Sequence, residues 1–144
     1  MKVRDIMSSN IEYVSEQDDA STTARKMRDI GVGAMPVVND QEQLSGIVTD
    51  RDIVVRAIAE GKDPVMTPIR DIMTPGAISC SADMTVEEAA ELMEAEQIRR
   101  LVVVDTDAAV GILSLGDVAV KTPGGNLAGE AVAEISKPAL PKRK

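Results

Sequence analysis

The stretches Gly46-Ile47-Val48-Thr49-Asp50-Arg51-Asp52 and Gly111-Ile112-Leu113-Ser114-Leu115-Gly116-Asp117 share one pattern: a glycine, two aliphatics, a hydroxyl residue, and an aspartate three positions on. Two aliphatics finish a buried strand, and a Thr or Ser where the chain leaves that strand is a common opening of a helix. Working outward, both copies belong to a longer repeat. Val3-Arg4-Asp5-Ile6-Met7 recurs as Ile69-Arg70-Asp71-Ile72-Met73, 66 residues later. At that offset Ser15 meets Ser81, Ala24 meets Ala90, Met27 meets Met93, and Val37-Val38-Asn39 meets Val103-Val104-Asp105. One residue is then lost and the two motifs align. Matched blocks in one order, with a single gap, establish an internal duplication.

Each unit reads as strand, helix, strand, strand, helix. In the first, residues 11–15 form a short strand. Asp18 or Asp19 caps a helix that buries Ala20, Ala24 and Met27 and ends near Gly31. In the second, Thr85-Val86-Glu87-Glu88 has the form of a capping box. Val86, Ala89, Ala90 and Met93 make its buried face, and Glu87, Glu91 and Glu94 face water. Strands over 35–38 and 44–48, and over 101–104 and 110–113, bracket polar turns. The last helix of the first unit covers 53–60. In the second unit Lys121-Thr122-Pro123-Gly124-Gly125 cuts that helix short; a new helix over 127–135 and a flexible basic tail over 136–144 follow. The expected organisation is a first repeat over 1–68 with an N-terminal linker strand, a second repeat over 69–121, and a C-terminal helix and tail over 122–144. A unit of about 66 residues buries too little apolar surface to stand alone. The expected fold is therefore α/β (α+β): two pseudo-twofold-related β-α-β-β-α repeats packed through their sheets.

Composition removes several function classes. The 144 residues carry a net charge of −8, with 44% hydrophobic and 28% charged residues, no His, no Trp, no Phe and one Cys. Without His, Ser-His-Asp and Cys-His catalysis and the common His-containing zinc sites are ruled out. No enzyme is expected, and no metal site. Acidic charge and a single aromatic, Tyr13, argue against a nucleic-acid partner. No apolar run reaches the ~20 residues of a membrane span, the N-terminus has no apolar leader, and one Cys fits a reducing compartment. The expected location is the cytoplasm, with no membrane partner. Cys80 reads as a small buried hydrophobe, and the eight Met as core filler.

The motif residues Thr49 and Asp52, and Ser114 and Asp117, admit two readings. A hydroxyl, a carboxylate and free helix N–H groups can line a small cleft, the carboxylate taking ribose hydroxyls and the helix start a phosphate. Equally, the same residues cap the helix and do nothing more. Arg99-Arg100 stands before the strand 101–104, where a guanidinium can hold a phosphate bidentately; alternatively the pair answers the acidic helix over 87–96. The first unit has Gly33-Ala34 at those positions, so the two clefts are chemically unequal.

The repeated unit with Gly-h-h-Thr/Ser-x-x-Asp resembles the CBS domain, paired here as in a Bateman module and covering about residues 1–121. Residues 98–105 with the motif at 111–117 resemble the nucleotide-sensing repeats of the AMP-activated protein kinase γ subunit. The resemblance implies a stand-alone, non-enzymatic regulatory module, binding AMP, ADP, ATP, NAD or S-adenosylmethionine in the cleft between repeats. It assigns ribose to Asp52 and Asp117, ribose and phosphate contacts to Thr49 and Ser114, and phosphate to Arg99 or Arg100. Val102 stands where the family usually has proline, whereas Pro36 keeps it. A homodimer is expected, through uncovered apolar residues Ile53, Val54, Ala57 and Ile58, with an effector protein as a further partner. The other reading is a structural dimerisation scaffold with empty clefts.

Overall fold

The computed structural model describes residues 1–9, 11–76, 78–106, 108–122, 129 and 135. Among the described residues there are two sheets, one in each of two compact bodies apart from the first two residues of the second sheet's last strand. The first body holds Asn10–Ile78 with Thr106–Ala109; the second holds Met1–Ser9, Ser79–Asp105 and Val110–Lys144. The expected helix over 127–135 and the tail over 136–144 lie outside the described residues, apart from Gly129 and Ile135, which are helical.

In the first body β1 (Val14–Ser15) runs parallel to β2 (Ala34–Val38). β2 is antiparallel to β3 (Leu44–Thr49), and β3 to the short β4 (Thr74–Pro75). β1 keeps only the last two residues of the expected strand. β2 is buried along its whole length, as an inner strand of aliphatics should be. Helix α2 (Ala20–Ile30) starts at Asp19, whose carboxylate accepts from Thr22 N–H at 2.7 Å, and stops at Gly31 in the left-handed conformation. Asp18 instead accepts from Ser15 N–H. Ala20 and Met27 enter the core with Met35, Val37, Val48, Ile69 and Ile72, while Ala24 packs at its edge.

After β3, α3 (Asp50–Asp52) passes into a π-helical segment, Ile53–Ile58, closed by Ala59 N–H to Val54 C=O at 2.8 Å and Lys62 N–H to Ala57 C=O at 3.0 Å. This corrects the expected apolar surface. Ile53 and Ala57, one turn apart, are core residues, whereas Val54, Val55 and Ile58 are exposed. A single helix face can be buried here, and it takes the first pair.

The second body repeats the plan. β5 (Ser79–Ser81) pairs in parallel with β6 (Arg100–Asp105), which neighbours β7 (Ala108–Ser114). Helix α4 (Val86–Glu96) buries Val86, Ala89, Ala90 and Met93, as the sequence pattern predicts. Its capping box is only half formed: Thr85 Oγ1 accepts from Glu88 N–H, but the Glu88 carboxylate turns to the Thr85 hydroxyl instead of the backbone. α5 (Leu115–Lys121) follows β7 directly. Cys80 is buried, and Tyr13 is exposed.

The leading segment of each sequence repeat docks on the sheet of the other repeat's body. Residues 1–9 lie in the second body. There Val3 N–H donates to Met84 C=O, Arg4 N–H to Ala82 C=O, and Val86 N–H to Met1 C=O. In the first body the same three bonds run from Ile69 to Asp18, Arg70 to Glu16, and Ala20 to Thr67. The N-terminal leader is not the linker strand expected. It makes one helical turn, α1 (Val3–Ile6), then a bridge in which Ser8 and Ile112 exchange hydrogen bonds of 2.9 and 3.0 Å. Its counterpart has a 3₁₀ turn at Ile69–Asp71 before β4. Val3, Ile6, Ile69 and Ile72 are buried, which anchors both leaders by apolar contact.

Candidate functional site

Both motif glycines mark where a leader crosses its sheet. A Cβ on Gly46 would stand 2.5 Å from the Thr74 carbonyl oxygen, and one on Gly111 would stand 2.7 Å from Met7 Sδ and 2.8 Å from the Ser8 carbonyl oxygen. Glycine is required at both by close approach of backbone.

The hydroxyl and the aspartate of each motif close a reciprocal cap. Asp52 N–H donates to Thr49 Oγ1 at 3.1 Å, while Thr49 N–H donates to Asp52 Oδ2 at 3.0 Å. In the second body Asp117 N–H donates to Ser114 Oγ at 3.0 Å, and Ser114 N–H to Asp117 Oδ2 at 2.9 Å. These are capping boxes in which Asp occupies the place usual for Glu or Gln. The capping role is thus present in both copies, and each aspartate keeps its Oδ1 for another partner.

That partner is a cation one turn further on. Arg56 Nε lies 3.6 Å from Asp52 Oδ1, and Lys121 Nζ lies 3.4 Å from Asp117 Oδ1. Each cation also holds a leader: Arg56 Nη1 donates to the carbonyls of Ile72 (3.1 Å) and Met73 (2.9 Å), and Lys121 Nζ donates to Ile6 C=O (3.1 Å). Arg56 and Lys121 are absent from the site expected from sequence. The signal was available, since each is a basic residue four positions after the motif aspartate. The two sites differ in access, for the Asp52 side chain is 4% exposed and that of Asp117 14%.

The second body holds a pocket of about 620 Å³ lined by Arg99, Arg100 and Ser114 together with Leu115, Ala119 and Ile135. Arg99 C=O accepts from Leu115 N–H at 2.9 Å, which fixes the start of β6 against the start of α5. Of the six residues expected to bind ligand, the pocket brings together Arg99, Arg100 and Ser114. Asp117 lies in the same helical turn as Ser114 but does not line it. Thr49 and Asp52 occupy the corresponding place in the first body. Among the described residues neither Arg99 nor Arg100 forms an ion pair, so the alternative of pairing with the acidic helix α4 is not realised. Two exposed guanidiniums beside a hydroxyl and apolar walls suit an anion attached to an apolar or flat group.

The first body has the opposite character at these positions. Gly33 replaces Arg99, and Asp50 replaces Leu115, with Asp50 Oδ2 3.0 Å from the point a Gly33 Cβ would occupy. The Asp50 carboxylate there repels an anion, and Arg51, in the place of Gly116, is the guanidinium among these positions.

Elsewhere, burial pushes the Cys80 thiol up to about 11, the opposite of an activated nucleophile. Among the described residues no three His, Cys, Asp or Glu side chains are grouped to hold a metal, and no helix is long and apolar enough to cross a membrane.

The family model of the CBS domain matches residues 3–58 and again residues 69–121. The CBS domain-containing protein YhcV of Bacillus subtilis is 40% identical over 134 residues, 93% of this chain and 94% of its own. Hypoxic response protein 1 of Mycobacterium tuberculosis is 32% identical over 120 residues, 83% of this chain and 84% of its own. A crystal structure of hypoxic response protein I with two coordinated zinc ions superposes with a TM-score of 0.76, covering 85% of this chain and 100% of that one at 32% identity. The CBS domain pair of protein MJ0100, in complex with 5′-methylthioadenosine and S-adenosyl-L-methionine, superposes with a TM-score of 0.70 at 28% identity, covering 82% of this chain and 92% of its own.

Proposed function

The chain belongs to the CBS-domain family, and from that premise we propose that it is a regulatory module without catalysis of its own, whose second body binds an adenine nucleotide or related adenosyl ligand. The observation that carries this reading is the pocket that joins Arg99, Arg100 and Ser114 at the start of α5. The guanidiniums take phosphate, Ser114 takes a ribose hydroxyl from the place where its reciprocal cap with Asp117 holds it, and Leu115, Ala119 and Ile135 flank the base. Aliphatic walls suffice for an adenine face, so the lack of Trp and Phe is no obstacle. The adenosyl ligands held by the MJ0100 pair support the ligand class. AMP, ADP and ATP fit the paired guanidiniums best. S-adenosylmethionine, which bears a cationic sulfonium, fits them least.

Thermal unfolding with and without AMP, ADP, ATP, NAD and S-adenosylmethionine tests the proposal. A ligand that binds only the folded chain at a hundred times its Kd stabilises it by about 2.7 kcal/mol. No shift with any of the five at millimolar concentration would reject the ligand reading. It would favour the second reading, a dimerisation scaffold, which the exposed Val54, Val55 and Ile58 support.

A further inference from the structure

Neither backbone nor packing asks for a glycine at position 116. It lies in α5, outside the left-handed conformation that Gly31, Gly61 and Gly76 adopt. A Cβ there would meet Ser114 Oγ at 3.5 Å, an ordinary contact, whereas at Gly46 and Gly111 it would strike leader atoms at 2.5 and 2.7 Å. The duplication supplies an internal control, since Arg51 holds the same place in α3, inside a reciprocal cap of the same form. The fold thus accepts a side chain here, and a helix is weaker for lacking one.

What a side chain would meet is the pocket. Gly116 belongs to its lining, with Ser114 and Leu115 on either side of it in the sequence motif. Resting on the ligand reading above, we infer that Gly116 is a specificity-determining residue: its bare backbone seats the sugar whose hydroxyl Ser114 takes.

The geometry around Ser114 says why a methyl group matters. Ser114 Oγ accepts from Asp117 N–H at 3.0 Å, so its own proton is directed to a different partner. A ligand oxygen bonded to it stands about 2.8 Å from Oγ. A methyl carbon held 3.5 Å from the same Oγ, on the pocket lining, takes up part of that shell. Alanine therefore crowds the sugar while Arg99 and Arg100 stay in place. The penalty is common to ligands that share the ribose and blind to their number of phosphates. Between the bodies an arginine and a glycine trade places: Arg99 with Gly116 in the second, Gly33 with Arg51 in the first. Only the second body combines guanidiniums at the strand start with open backbone beside its motif hydroxyl.

Calorimetric titration of AMP, ADP and ATP into wild type, Gly116→Ala and Gly116→Leu, with a thermal melt of each protein alone, tests the assignment. Gly116→Ala weakens all three nucleotides by about tenfold and by the same factor, while its melting midpoint stays at or above that of wild type. Gly116→Leu, a longer side chain that also favours helix, weakens them by about a hundredfold. Val120→Ala, in the same helix at a residue 82% exposed and outside the lining, leaves affinity unchanged. Wild-type affinity in Gly116→Ala overturns the inference and leaves the ligand reading intact. So does a loss that deepens from AMP to ATP, which would put phosphate and not sugar over the glycine. A Gly116→Ala midpoint below that of wild type also overturns it, because the fold would then need the glycine. If none of the three nucleotides binds wild type, the ligand reading falls and the inference falls with it.

Discussion

Replacing Gly46 with alanine drives a methyl group into the leader that crosses β3. Its Cβ would sit 2.5 Å from the Thr74 carbonyl oxygen and 3.3 Å from Pro75 Cα, and both are backbone atoms in the β3–β4 pairing. A relaxed carbon–oxygen contact is about 3.3 Å, so β4 must retreat by roughly 0.8 Å or lose its pairing with Gly46 and Ile47. Overpacking of this kind costs about 1–3 kcal/mol. For a chain of this size that lowers the melting midpoint by roughly 3–10 °C. The control is Gly116→Ala, also in a motif, where the new Cβ meets only Ser114 Oγ at 3.5 Å within α5. Alanine there should raise stability by about 0.4–1 kcal/mol, since it fits the helix and restricts the unfolded chain. Circular dichroism melts of both variants decide the matter. A Gly46→Ala midpoint equal to or above wild type would refute the claim that the motif glycine exists for leader docking.

Asp19 accepts from both the N–H and the hydroxyl of Thr22, which holds its carboxyl below the ordinary value of 3.8. Its stabilisation is therefore present above that value and lost as pH falls through the lower folded one. Asp19→Asn, which keeps the acceptor, should flatten that part of the acid melting profile without much change at pH 7; an unchanged acid limb would refute it. Cys80, with its thiol raised to about 11, should resist iodoacetamide at pH 8 until urea unfolds the second body, and full labelling of native protein on mixing would contradict the burial. Val54 and Ile58 are 58% and 53% exposed on one face, so light scattering should give a dimer that Ile58→Asp converts to monomer. A monomeric wild type at micromolar concentration would count against that interface.

What was legible from sequence was whatever depends on identity at fixed spacing. The duplication, the buried face of α4 and the Gly31 stop all follow from local periodicity and caps. Leader exchange was not legible, because a repeated Val-Arg-Asp-Ile-Met says that two segments are alike, not which sheet each will meet. The same gap hid the role of Gly46 and Gly111, which is set by a strand from elsewhere in the chain. The sequence groups Ile53, Val54, Ala57 and Ile58 as one uncovered surface, yet residues one position apart on a helix face different ways, and Ile53 and Ala57 are buried. In the site, Arg99, Arg100 and Ser114 converge as their positions at strand and helix starts imply. The contact of Asp117 with Lys121 is one the sequence reading misses, although a basic residue four positions after each motif aspartate was there to be read.

Arg99, Arg100 and Ser114 are the groups by which the second body would take a nucleotide, and Asp117 holds Ser114 in place through the reciprocal cap. Calorimetric titration of AMP into wild type, Asp117→Ala and Asp52→Ala decides whether they do. Asp117→Ala, which releases Ser114 and the start of α5, should weaken binding by about 1–3 kcal/mol. Asp52→Ala, in the body where Asp50 and Gly33 replace Leu115 and Arg99, should leave AMP affinity nearly unchanged. Equal affinity in wild type and Asp117→Ala, or a larger loss in Asp52→Ala, would contradict it.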